Sequence, residues 1–159
     1  MFSKIPKTKY PPQVPILIWD GACGFCKYWI TVWKSKTSDV QYASYQNAAS
    51  QFPDIPIKEF KKASRFIAVD GIIYSGPDSA YMGMAHFEKP RRHWHRWYCD
   101  SVIFRWLSDQ GYNIVAKNRP LMMRLTVLFW GRDPLQRRPY WMIWIFFLLV
   151  IIMLISGFL

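Results

Sequence analysis

The sequence predicts an α/β fold, a mixed sheet with flanking helices, followed by one C-terminal transmembrane helix. Three observations predict it. Short apolar or alternating runs interleave with helical patterns in the order strand, helix, strand, helix, strand, strand, helix. Asp70-Gly71 joins two β-rich runs, which is the strongest short hairpin signal. Residues 140–159 form a run of 20 without a single charge.

Taken in order, residues 1–13 are rich in proline and lysine and read as an extended, flexible tail with no packed structure. Residues 16–19 are wholly apolar, as a strand buried on both faces should be. Residues 25–35 form the first helix, with Trp29, Ile30 and Trp33 at helical spacing toward the sheet. Residues 40–45 alternate as a second strand, and 47–52 and 57–63 read as short helices broken by Pro53 and Pro56. Residues 65–69 and 72–75 flank the Asp70-Gly71 turn. Pro77, at a first helical position, opens a helix to about residue 87. This order is that of a thioredoxin-like core, with a parallel βαβ unit and an antiparallel terminal hairpin. One departure stands out: residues 61–64 hold no proline before the third strand, where thioredoxin-like proteins usually carry a cis-proline beside the cysteine pair. Further on, residues 101–107 and 112–119 read as two helices separated by Gly111, and 121–130 as an apolar piece interrupted by Arg124 and Thr126. The expected organisation is a tail over 1–13, a thioredoxin-like domain over 14–133, and a juxtamembrane segment with its transmembrane helix over 134–159.

The chemistry lies in residues 20–26, Asp-Gly-Ala-Cys-Gly-Phe-Cys. Cys23 and Cys26 stand at a strand-to-helix junction. There the unpaired N–H groups and the helix dipole favour a thiolate, the species that attacks a disulfide. A Cys-x-x-Cys pair in such a pattern is a thioredoxin-like redox motif. Cys23, nearer the helix end and solvent, reads as the nucleophile, and Cys26, one turn inside, as the resolving thiol. Asp20 reads either as a proton acceptor for Cys26 or as a carboxylate that hydrogen-bonds the turn's own backbone.

Asp20-x-x-Cys23-x-x-Cys26 directly after a strand resembles the thiol-disulfide oxidoreductase DCC family. Residues 71–80, a hairpin strand and glycine leading into Asp78-Ser79-Ala80, are similar to a second segment of that family. Residues 111–119, with Tyr112 and Ala116-Lys117-Asn118-Arg119, are similar to its C-terminal helix. The resemblance covers about residues 14–133. It implies a thioredoxin-like fold and dithiol/disulfide exchange, with a protein or small-molecule disulfide as substrate, and it says little about which.

Other candidates are weaker. Cys99 reads as a buried structural thiol. A Zn²⁺ site from Cys23, Cys26, Cys99 and His93 or His95 lacks the second tight ligand pair that such sites show, so no metal and no cofactor is expected. His86 reads as a surface group at a helix C-terminus. With three cysteines in 159 residues the chain is no disulfide-stapled scaffold, and residues 1–12 contain no apolar signal-peptide core.

The net charge is +11, and residues 89–138 carry 11 basic and 3 acidic side chains. No nucleic-acid motif accompanies them, so no nucleic-acid partner is expected. Residues 140–159 reach ~30 Å as a helix, a bilayer's hydrocarbon thickness. Tyr140, Trp141 and Trp144 stand at one end, and Arg132, Arg137 and Arg138 lie outside it. The expectation is a single-pass, tail-anchored protein of the inner membrane, its domain on the cytoplasmic side and its cations on lipid headgroups. A reducing cytosol would favour disulfide reduction. The alternative is a non-catalytic accessory subunit of a larger membrane complex, docking through residues 94–98 and 121–130.

Overall fold

A computed structural model describes residues 5–156. Strand β1 (Ile16–Trp19) leads into α1 (Gly24–Lys34), β2 (Gln41–Ser44), α2 (Tyr45–Ala48) and a 3-10 turn over Ala49–Gln51. Helix α3 (Ile57–Lys62), the hairpin β3 (Arg65–Ile67) and β4 (Ile73–Ser75), and α4 (Pro77–Ala85) follow. Four more helices complete the described chain: α5 (Arg92–Asp100), α6 (Val102–Lys117), α7 (Arg119–Trp130) and α8 (Trp141–Ser156).

The sheet order is β2-β1-β3-β4. β1 pairs in parallel with β2 (Ile16 opposite Gln41) and antiparallel with β3 (Ile16 opposite Ile67), and β3 pairs antiparallel with β4. This is the mixed thioredoxin-like sheet with flanking helices that the element order predicts. Because side chains alternate across a strand, β1 feeds two cores. Ile16 and Ile18 join Phe52, Phe60 and Ile67 on one face, while Leu17 joins Ile30, Val40 and Phe66 on the other. Gly71, at φ 84°, supplies the left-handed residue of the hairpin turn, and Asp70 accepts the Ile72 N–H at 2.9 Å.

Three local expectations change. Residues 5–9 are extended but packed: Pro6 C=O accepts from Ile73 N–H, Thr8 N–H donates to Gly71 C=O, and Thr8 Oγ1 donates to Asp54. Proline and lysine content argued for a free tail, yet main-chain pairing along the start of β4 needs no apolar side chains. Gly111 does not separate two helices. α6 runs through it, since a lone exposed glycine costs a helix only about 1 kcal/mol against alanine. Finally, Ile30 and Trp33 of α1 face the sheet as expected, packing with Leu17 and Phe66, whereas Trp29 turns to α7 and meets Trp130 with ring centroids 5.7 Å apart.

The largest correction concerns residues 140–159. No helix among the described residues is long and apolar enough to cross a membrane. Within the described residues α8 has 16 residues, which at about 1.5 Å each gives ~24 Å against the ~30 Å of a hydrocarbon core. A ~30 Å span needs all twenty uncharged residues in one helix. Instead, Tyr140 is used in the turn before α8, and residues 157–159 of that expectation lie outside the described residues. The transmembrane anchor falls. With it go the readings built on it: membrane lipid as partner, an inner-membrane location with a cytoplasmic domain, and a larger membrane complex. The preference for reduction, argued from location, loses its ground too. Residues 94–98, offered as docking surface, are partly used within the fold. Trp94 stacks on Tyr81 of α4 at 6.0 Å and meets Phe104 of α6 at 5.8 Å.

Candidate active site

β1 ends at Trp19 and the chain turns through Asp20 and Gly21. A Cβ on Gly21 would sit 2.7 Å from Ser44 Cβ, so this turn closes on the end of β2 only with glycine there. Cys23 N–H donates to Asp20 C=O at 3.1 Å, which completes the turn and aims the chain into α1.

Cys23 is the N-cap of α1, in extended conformation. Its Sγ accepts the backbone N–H of Cys26 at 3.1 Å, and its C=O accepts from Lys27 N–H at 2.9 Å. No acidic side chain occupies the first turn of α1. A sulfur at this position takes up one of the N–H groups that a helix start leaves unpaired. Both cysteines are free thiols. Their exposures run opposite to the order read from the sequence: Cys23 is 9% exposed, and Cys26 is intermediate. The N-cap side chain folds back over the helix start, and Cys26, almost one turn on, borders a cavity.

The two thiols differ electrostatically. Burial pushes the Cys26 thiol well above the ordinary cysteine range, and its hydrogen bond with Cys23 and the charge there add to the rise. Arg119 pulls the other way, and the Asp20 carboxylate adds to the rise. The Cys26 thiol therefore gives up its proton less readily than an ordinary cysteine.

Asp20 does more than hold its own turn. Its Oδ1 accepts from Ala22 N–H at 3.1 Å and from Gln46 Nε2 at 3.2 Å, while Oδ2 pairs with the Arg119 guanidinium at 2.6 Å. Burial works against the charge on Arg119, but Cys26, Cys23 and Asp20 together raise its pKa. A cation from the start of α7 thus stands over the start of α1, across 99 residues of sequence. Sequence reading quoted Arg119 only as part of a resembling segment and gave it no role. No local spacing links it to Asp20, and only the docking of α7 on α1 does so.

The remaining candidates lie elsewhere. Cys99 is exposed rather than buried, on α5, with its Sγ 3.6 Å from His95 Nε2. His95 Nδ1 is 2.6 Å from Asp78 Oδ1, and His86 Nδ1 is 2.8 Å from Asp39 Oδ2. The hydrogen bond that His95 makes to the Asp78 carboxylate raises the His95 pKa, against desolvation. Among the described residues no three His, Cys, Asp or Glu side chains are grouped to hold a metal ion.

Beside Cys26 lies a cavity of ≈ 370 Å³ between α1, α4, α6 and α7. Its walls are mostly aromatic and aliphatic, and among the described residues Arg119 is the one charged side chain that lines it.

No curated protein and no solved structure matches the chain. The family of DCC1-like thiol-disulfide oxidoreductases matches residues 17–125, more than half of its length. That span begins in β1 and ends within α7, so it takes in the cysteine pair, Asp20 and Arg119 together. The chain belongs to the DCC1-like thiol-disulfide oxidoreductase family, and it is a redox enzyme.

Proposed function

We propose that Cys23 and Cys26 are the dithiol that exchanges with substrate disulfides, with Cys23 attacking and Cys26 resolving. One observation carries this reading: Cys23 Sγ accepts the Cys26 N–H at 3.1 Å, so the first sulfur caps the very helix start that carries the second and an exchange can pass from one to the other. The Cys23 thiolate attacks one sulfur of R–S–S–R′, forming Cys23–S–S–R and releasing R′S⁻. Cys26 then gives up its proton and attacks Cys23 Sγ. The intramolecular disulfide forms and RS⁻ leaves, taking up a proton. Two electrons pass from the dithiol to the substrate, and the reverse sequence oxidises a substrate dithiol. Asp20 is a positioning residue. It holds the turn and keeps Arg119 beside both sulfurs, where a cation stabilises whichever thiolate forms.

Equilibration of the full chain in graded mixtures of reduced and oxidised dithiothreitol, with alkylation and mass counting, tests this. A single transition of two thiols is expected, lost in both Cys23→Ser and Cys26→Ser and retained in Cys99→Ser. Its midpoint assigns the direction of exchange. Thiols at positions 23 and 26 that never pair overturn the reading.

A further inference from the structure

The cavity beside Cys26 bears on what the enzyme exchanges with. Four helices wall it, with Trp29 and Trp33 from α1, Met84 from α4 and Ala116 from α6. At ≈ 370 Å³ it is larger than the ~150 Å³ that suffices for a benzene ring in a dry protein cavity. It therefore has room for an aryl or branched alkyl group and the linker that joins it to sulfur. Arg119, the one charged lining residue among those described, is already paired with Asp20 at 2.6 Å. A ligand bearing several carboxylates and ammonium groups, as glutathione disulfide does, finds few partners there, and stripping its charges of water is costly.

The wall also bears on polypeptide substrates. Ser64, which lines the cavity just before β3, donates its N–H to Tyr112 Oη at 3.0 Å and accepts from Gly76 N–H with its C=O at 3.0 Å. Both main-chain groups of this residue are used inside the fold, so an extended peptide has no strand partner at Ser64. Cys23, only 9% exposed, gives a disulfide embedded in a folded polypeptide little approach. Recognition then falls to shape and apolar contact.

We infer that the cavity holds the apolar substituent of a low-molecular-weight disulfide, so that the preferred substrate is a small disulfide carrying an aryl or branched alkyl group. This rests on the dithiol reading above. In the mixed disulfide Cys23–S–S–R, the group R lies over Cys26 in the cavity. Attack of Cys26 on Cys23 Sγ then releases RS⁻ while R is still held.

The test uses the full reduced chain and three probes: glutathione disulfide, bis(2-hydroxyethyl) disulfide, and 2-phenylethyl 2-hydroxyethyl disulfide. Each exchange rate is divided by the rate of the same probe with free dithiothreitol, which removes intrinsic reactivity. The phenylethyl probe is expected to exceed both others by roughly tenfold or more, the scale at which apolar pockets discriminate. Ala116→Trp, which fills the cavity, is expected to bring the three to within about twofold. Ala116→Leu, a milder filling, is expected to fall between, and circular dichroism checks that each variant is folded. Equal corrected rates for the three probes overturn the cavity inference and leave the dithiol reading standing. No exchange with any probe takes down both.

Discussion

Arg119 is the residue whose place in the sequence says least about its work. Its ion pair with Asp20 is partly exposed, so its worth to stability is about 1 kcal/mol or less. Its electrostatic effect on the thiols is the sharper readout. Asp20 raises the Cys26 pKa and Arg119 lowers it, so the two act with opposite sign on one proton. Asp20→Asn removes the first and leaves the guanidinium without its counter-charge. The alkaline limb of the exchange rate is expected to move to lower pH. Arg119→Met removes the second, and the limb is expected to move to higher pH. A pH–rate series on the two variants decides it. Profiles that superimpose on the parent's would show that the pair only ties the fold together.

Among the elements, α4 and α5 offer a prediction of a different kind. His95 on α5 meets Asp78 at the start of α4, and this contact raises the histidine's pKa above its ordinary value. The stabilisation is therefore fully present below the unfolded histidine's pKa, near 6.5, and is lost as pH rises through the higher folded value. Urea unfolding at pH 6 and pH 9 is expected to show the parent losing roughly 0.5–1 kcal/mol more than Asp78→Asn over that interval, a figure already reduced for solvent screening. Equal losses would remove the contact from the account of stability. The elements also show what a single sequence makes legible. β1, the hairpin and α1 were readable because apolar runs, Asp-Gly and a Cys-x-x-Cys motif are local signals. α6 was misread because a glycine inside a helical pattern looks like a boundary, and whether it is one depends on its neighbours. α8 was misread because hydropathy counts apolar residues, whereas crossing a membrane depends on how many of them lie in one helix. Spacing alone singles out Cys23 and Cys26 as candidates, and Asp20 stands in the same motif. Their exposures and the arrival of Arg119 depend on how α7 packs, which no spacing encodes.

At the scale of the whole molecule, the sheet leaves two edges, β2 and β4. Residues 6–8 run antiparallel to 71–73 and cover the start of the second. An unpaired edge is a template for another chain, so this cover protects the hairpin. Asp54 anchors it, accepting from Thr8 Oγ1 at 2.8 Å and Lys9 N–H at 2.7 Å. Desolvation works against the Asp54 carboxylate, yet those bonds hold its pKa below the usual range. Their contribution is thus present above the unfolded aspartate's pKa, near 3.9, and fades as pH falls through the lower folded value. Asp54→Ala is expected to speed amide hydrogen exchange at Thr8 and Ile73 at neutral pH, with exchange in β1 unchanged. Unaltered exchange at both amides would show that the anchor is dispensable.

The same arrangement sets an order of events during synthesis. Residues 6–8 leave the ribosome well before Asp54, and before residues 71–73 in turn. At roughly 5–20 residues per second, the interval is on the order of several seconds. Throughout that time the segment has no partner, and when β4 at last emerges, its edge stays open until the waiting strand is recruited. A sequence-distant closure of this kind is slow to nucleate. The latch that seals the sheet is therefore made early and shut late.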